Sequence, residues 1–323
     1  MSRVVVTGAT GFLGQPLCAT LAERGHHVRA LVRHTMEPHH PLVEAFPFDG
    51  LHDHAALRAA CLNATAVVHL AARVHVMRDE LDAESRFTAV NVDGTLAVLE
   101  AARAGGVRHV LLASSVKAVG EANDASWTEA VIPSPVDAYG RSKLAAERLA
   151  LAFGGENGIT VTVLRLPLVY GPGASANVLR LLALVRSGWP LPLGAVDNRR
   201  SMLYRDNAVA AMIAVLDAGS DARGVFFVSD AVDLSTPSLI RTIARAIGRP
   251  ARLLSVPVAL LRAAGRLGDV LPLPLSSAEV ARLTGSLTVA TDRLRKVTGF
   301  EPPVSVDEGW RRTAHWYLTG KDA

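Results

Sequence analysis

Val4-Val5-Val6-Thr7-Gly8-Ala9-Thr10-Gly11-Phe12-Leu13-Gly14 is the stretch on which the reading of this chain turns. Three β-branched residues predict a short strand. The run after Gly11, from about Phe12 to Arg24, predicts a helix. Between them lies a G-x-x-G-x-x-G turn. Glycine allows a tight turn and lets backbone come close to a pyrophosphate, and the helix behind it offers free N–H groups and the positive end of its dipole. Strand, spacing and helix together predict that Gly8, Thr10, Gly11, Phe12, Leu13 and Gly14 bind a dinucleotide. Val28 to Val32 predicts the second strand, followed by Arg33-His34. An acidic residue there would bond the 2′-hydroxyl of the adenosine ribose; Arg33 suits a 2′-phosphate instead. The expected cofactor is NADP(H), with NAD(H) as the alternative.

Outward from this unit, strand and helix patterns alternate. Strands are expected at Val43 to Phe48 (weakened by Pro47), Ala66 to Leu70, Val107 to Ala113 and Ile159 to Leu166. Helices are expected at Ala55 to Cys61, Ser85 to Ala104 and Asp137 to Phe153. Unbroken Val/Leu runs fit strands covered on both faces, and the alternation argues for right-handed βαβ units. The expected class is α/β: a Rossmann-type, doubly wound parallel sheet with a smaller C-terminal subdomain. Past Leu166 the rhythm is broken by Pro167, Pro172, Pro190 and Pro192. A strand at Val225 to Val228 and helices at Asn177 to Ser187, Ser238 to Ile247, Val258 to Leu267, Ser277 to Leu283 and Ser305 to Leu318 are expected there. The expected domains are 1–171 with a return segment of about 203–232, and about 172–202 with 233–323.

The 323 residues are half hydrophobic and one-fifth charged, which excludes disorder and coiled coil. The net charge of +4 arises from thirty arginines and only four lysines, so a lysine inside a motif is conspicuous. Aromatics do not interleave with basic runs, so no nucleic-acid partner is expected. Two cysteines without C-x-x-C spacing, and histidines without H-E-x-x-H, lead to no expected metal. The start enters an apolar run without the pattern of a secretory leader, and a cytoplasmic enzyme is expected. Leu253 to Leu275 is the most apolar segment. Pro257, Arg262, Arg266 and Asp269 interrupt it, so a core or partner-facing helix is expected rather than a membrane span.

Tyr139-Gly140-Arg141-Ser142-Lys143 places a phenol and an ammonium on one face of a helix start. A phenol near pKa 10 is a poor proton donor or acceptor at neutral pH, and a neighbouring ammonium is expected to lower it. Ser114-Ser115 ends a predicted strand, where parallel sheets gather ligand chemistry. Ser115 is the expected partner of a substrate oxygen. Ser115, Tyr139 and Lys143 form the candidate catalytic set, with Tyr139 and Lys143 also facing the cofactor. No G-x-S-x-G is present, so Ser115 is not read as a hydrolase nucleophile.

These motifs, with Asp49, His69-Leu70-Ala71-Ala72, Asn91-Val92-Asp93-Gly94-Thr95 and Pro167-Leu168-Val169-Tyr170-Gly171-Pro172-Gly173, resemble in order and type the extended short-chain dehydrogenases/reductases that act on nucleotide sugars as epimerases, dehydratases and 4-keto reductases. The resemblance covers residues 1 to about 235. It implies adenine contact by Asp49, passage of the cofactor along Leu70, Ala71 and Ala72, backbone near Pro167 facing the nicotinamide, and a structural Asn91. It also implies a substrate-binding C-terminal subdomain and a homodimer joined through the helices at Ser85 to Ala104 and Asp137 to Phe153.

On the substrate side, Arg200 in Arg199-Arg200-Ser201-Met202-Leu203-Tyr204 resembles the family's diphosphate-holding arginine; Asn177 and Arg282 resemble further substrate contacts. The implied partner is a nucleotide-diphosphate sugar, UDP-linked. Leu168 stands where epimerases of the family often carry Asn, and the wording with Pro190-Leu191-Pro192-Leu193-Gly194 is closer to bacterial 4-keto reductases. The expectation is therefore an NADP(H)-dependent reductase acting at C4 of a UDP-hexose. A NAD-dependent UDP-sugar 4-epimerase and a non-catalytic NADP(H)-binding regulator remain as alternatives.

Overall fold

Seven parallel strands form one sheet: β1 (Arg3–Thr7), β2 (His27–Val32), β3 (Val43–Pro47), β4 (Ala66–His69), β5 (His109–Ser115), β6 (Thr160–Leu166) and, far along the chain, β9 (Gly224–Phe227). Two short strands, β7 (Leu168–Tyr170) and β8 (Met202–Tyr204), pair with each other outside it. The order in the large sheet is β3-β2-β1-β4-β5-β6-β9. The winding reverses between β1 and β4, which puts a ligand crevice beyond their carboxyl ends. This is a computed structural model, which describes residues 2–34, 36–74, 82–174, 177–270 and 276–320.

Helices α1 (Gly14–Glu23), α2 (His54–Cys61), α3 (Ala83–Phe87), α4 (Gly94–Ala104) and α5 (Ala138–Asn157) connect the first six strands. After these come α6 (Asn177–Arg186), α7 (Arg205–Ala218), α8 (Thr236–Ile247), α9 (Val258–Val270), α10 (Ser277–Thr284), α11 (Asp292–Thr298) and α12 (Val306–Thr319). Alternate residues of each strand enter opposite layers. Val4 and Val6 pack with Leu17 and Leu21 of α1 and with Met212 of α7, while Val5 packs with Leu57 of α2, Leu99 of α4 and Ala146 of α5. Both faces are dry, which is why the strands carry unbroken apolar runs.

Several boundaries differ from the sequence expectation for identifiable reasons. The helix expected over Ser85 to Ala104 contains a π-helical turn, Thr88–Asp93, which turns Asn91 into the interior. Asp137 is the cap of α5 rather than part of it, and α5 runs on to Asn157, where Gly158 closes it at φ +68°. Pro47 is tolerated because β3 is the edge strand. Helices α7 and α11 and the β7/β8 pair were not foreseen.

The chain leaves the sheet after β6, returns through α7 to β9, and leaves again. The outlying parts share a core in which the Tyr170 ring stacks on Trp310 at 4.3 Å and 9°, with Leu182, Ile240 and Ile243 around them. Phe12, just before α1, packs against this second core. Within the apolar segment Leu253 to Leu275, Leu261 is buried and Leu254, Leu260 and Leu267 are exposed; residues 271–275 lie outside the described residues. Among the described residues no helix is long and apolar enough to cross a membrane.

Candidate active site

The turn after β1 is built as its glycines require. Gly8 has φ +69°, and a Cβ there would lie 2.9 Å from the Ala71 nitrogen. A Cβ on Gly14 would lie 2.1 Å from the Gly8 carbonyl oxygen. These two residues let the turn close on itself and on the segment after β4. Thr10 and Gly11 are exposed above it, and Phe12 and Leu13 are half-buried. The first turn of α1 carries no acidic residue and no side-chain cap. Open backbone and an uncapped helix end fit the pyrophosphate of a dinucleotide. Leu70, Ala71 and Ala72, half-buried, pass beside the turn. Arg33 and Asp49 are both exposed and follow the carboxyl ends of the paired strands β2 and β3. No carboxylate ends β2.

His69, at the end of β4, ties the switch point together. Its Nδ1 is 2.7 Å from the Thr7 hydroxyl and its Nε2 is 3.2 Å from the Thr95 hydroxyl. Thr95 donates to the Asn91 carbonyl, and Thr7 accepts the Ala71 N–H. The consistent arrangement has Thr7 donating to Nδ1 and Nε2–H donating to Thr95, a neutral ring. Burial, with the nearby Lys143 charge, holds its pKa down to about 3. The Asn91 side chain bonds the N–H and the carbonyl of Arg73 and the Ser142 hydroxyl, fastening the π turn to the post-β4 segment and to α5.

Ser115 is the last residue of β5, and Tyr139 and Lys143 lie in the first two turns of α5. Gly140 lets the two elements meet, since a Cβ there would be 2.3 Å from the Lys117 carbonyl. Asp137 caps α5 by accepting the Gly140 N–H at 2.6 Å. Burial pushes the Tyr139 phenol up to about 12; a hydrogen bond from Ser115 pulls it back and the Asp137 charge adds to the rise. The Lys143 ammonium is buried and donates to the Ala113 carbonyl at 2.6 Å. Burial brings it down to about 8, with Glu147 opposing. The expected lowering of the phenol by Lys143 is therefore not what the structure shows: the ammonium is engaged by Ala113, and enclosure dominates the phenol.

Behind the set, Glu147 accepts from Ser114 and from Arg165, which also stacks on Phe227 with its guanidinium 5.4 Å from the ring centre. The sequence reading missed Glu147 and Arg165. The i,i+4 step from Lys143 to Glu147 was the available signal. Pro167 is buried just past β6, and Leu168 is 40% exposed.

Arg200 and Arg282 come together. The Arg200 guanidinium donates to the Arg282 carbonyl at 2.6 Å and the Gly285 carbonyl at 3.2 Å, and burial lowers its pKa while Glu121 opposes. The Arg282 side chain is exposed in the last turn of α10. Asn177, also exposed, opens α6. Among the described residues, no three His, Cys, Asp or Glu side chains are placed to hold a metal.

Known proteins match nearly the whole chain. It is 33% identical over 320 residues to the UDP-glucose 4-epimerase of Vibrio cholerae, covering 98% of this chain and 95% of that one. Its structure superposes on that of MoeE5 in complex with UDP-glucose and NAD at a TM-score of 0.78, with 26% identity over 98% of this chain and 99% of that one. The UDP-N-acetylglucosamine 4-epimerase from Bacillus cereus shares the fold, at a TM-score of 0.76 and 22% identity over 98% and 99% of the two chains. Residues 4–228 match the NAD dependent epimerase/dehydratase family, and with the glycine turn, the Ser115–Tyr139–Lys143 set and the parallel sheet that presents them, the chain belongs to that family as an NAD(P)-dependent enzyme of the short-chain dehydrogenase/reductase type acting on nucleotide sugars.

Proposed function

We propose that the protein is a UDP-hexose 4-epimerase working by transient oxidation at C4. The observation that carries this is the convergence of Ser115 and Tyr139 at the carboxyl edge of the sheet, with Lys143 one turn further along α5. The likeness to the Vibrio cholerae UDP-glucose 4-epimerase supports the epimerase over a reductase.

The bound nicotinamide supplies a hydride acceptor and, once reduced, a hydride donor. As phenolate, Tyr139 would accept the C4 hydroxyl proton and, as phenol, give it back to the C4 oxygen. Ser115 holds the reacting oxygen. Lys143 orients the cofactor ribose, and Gly8 to Gly14, Arg33, Asp49, Leu70 to Ala72 and Pro167 line the cofactor's path. Arg200, with Arg282 and Asn177, holds the diphosphate and sugar from the C-terminal subdomain, so that binding energy far from C4 positions the reacting carbon. The working unit is a homodimer packed through α4 and α5.

Arg33 favours a second reading, an NADP(H)-dependent 4-keto-sugar reductase whose cofactor exchanges each turnover. One assay separates the two. Purified enzyme is given UDP-glucose, UDP-galactose and their N-acetylamino counterparts, then a UDP-4-keto sugar with NADPH. Interconversion without net absorbance change at 340 nm supports the epimerase; stoichiometric NADPH loss on the ketone supports the reductase. Absence of both overturns hydride chemistry at C4.

A further inference from the structure

Lys117 bonds Ser115 and meets the turn of α5 that carries Tyr139. Its backbone N–H donates to the Ser115 hydroxyl oxygen at 3.2 Å, which leaves that hydroxyl its own hydrogen for another acceptor. Its carbonyl lies directly against Gly140, where there is no room for a Cβ. Its ammonium, 36% exposed, is 2.7 Å from both Glu121 Oε1 and Asp137 Oδ2. Asp137 turns its other oxygen to the Gly140 N–H and caps α5 two residues before Tyr139. In a chain with four lysines, one binds Ser115, the α5 cap and the Tyr139 turn at once.

We propose that Lys117 is a positioning residue for proton transfer at Tyr139: its amide orients Ser115, and its ammonium neutralises the Asp137 carboxylate that caps α5 two residues before Tyr139. This rests on reading Tyr139 as the proton-transfer group. Glu121 pairs with Lys117, and its charge also acts on Arg200. Lys143 is bonded to Ala113, and Arg141 pairs with Glu84 of α3. Among the described residues, Asp137 is the carboxylate whose charge raises the phenol's pKa. An anion beside a phenol disfavours phenolate, and a cation on that anion cancels the effect.

The test uses Lys117→Met, Lys117→Arg, Asp137→Asn and the double variant Lys117→Met/Asp137→Asn. Asn still accepts the Gly140 N–H, so the cap survives without its charge. In the pH profile of kcat/KM, Lys117→Met should move the Tyr139 limb up by roughly half a pH unit, and Asp137→Asn should move it down by a similar amount; the pair is partly exposed, which limits both. Lys117→Arg should restore the profile. In the Asp137→Asn background, Lys117→Met should return the limb towards its wild-type position. An unmoved limb in Asp137→Asn, or a limb that Lys117→Met leaves in place or moves down, overturns the proposal. Asp137→Asn decides the matter even if Lys117→Met does not fold. Phenolate absorbance at pH 11, taken against a matching Tyr139→Phe protein, reads the same order without substrate: more phenolate in Asp137→Asn than in the wild type, less in Lys117→Met. A failure of the nucleotide-sugar reading therefore leaves this test intact.

Discussion

Glu147 grips the Arg165 guanidinium with both carboxylate oxygens, 2.8 Å from Nη2 and 3.2 Å from Nε, where the two side chains are only 2% and 5% exposed. Removing either partner strands the other charge in the interior. Glu147→Ala or Arg165→Ala should each cost about 3–5 kcal/mol. Replacing both with apolar residues of similar volume should cost far less than the sum. Urea unfolding of the two single variants and the apolar double variant checks this.

Lys143 gives a stability signal that runs against function. The unfolded chain keeps this proton up to about 10.5, whereas the folded chain releases it near 8. Between those values the unfolded state binds more protons, so this group's contribution makes stability rise with pH. Lys143→Met should remove the slope and stabilise the protein at neutral pH by about 2 kcal/mol, allowing for the lost bond to Ala113. Turnover should vanish. Unfolding of both proteins from pH 7 to 10.5 measures it. The buried thiols Cys18 and Cys61, pushed up to about 12, act in the opposite sense above pH 9 in both proteins and cancel in the difference.

Tyr139→Phe keeps the ring that meets Phe87 at 5.8 Å and removes only the hydroxyl. Turnover should fall by roughly 10²–10⁴, with cofactor affinity nearly unchanged. Single-turnover rates beside a cofactor titration separate the two effects.

Arg33 follows β2, and no carboxylate ends that strand. Arg33→Asp should shift the NADPH-to-NADH affinity ratio towards NADH, by about tenfold or more. Fluorescence titration with NADH and NADPH reads the ratio directly.

Gly14→Ala would push a methyl group into the Gly8 carbonyl oxygen at 2.1 Å. Backbone must move, at a cost of about 2 kcal/mol or more, and the turn should lose its fit to a pyrophosphate. Thermal unfolding with and without cofactor should show a lower Tm and a loss of the ligand-induced rise.

The glycine turn and the Tyr139/Lys143 pair were legible because each is a short local pattern with its own chemistry. What stayed hidden depends on partners distant in the chain. Glu147 reads as an ordinary helix carboxylate until β6 brings Arg165 beside it. Lys117 reads as a loop lysine until Asp137 folds back, 20 residues later, to meet it. The π turn at Thr88–Asp93 leaves no periodic trace, since one extra residue per turn is only a local slip. Helix α7 is apolar almost all round because it is packed among the sheet, α1 and α11, so it lacks the polar stripe by which helices announce themselves.

The last strand of the sheet has a bearing on how the gene product can be cut. Strand β9 shields β6, whose seven residues are all buried, yet it arrives only after the excursion through α6 and β8. A fragment ending near residue 171 would bare β6 along its whole length as an open, sticky rim, and should aggregate rather than survive as a free cofactor-binding half. Shuffling of parts between relatives must therefore splice at two joints at once, carrying β9 with the sheet it seals.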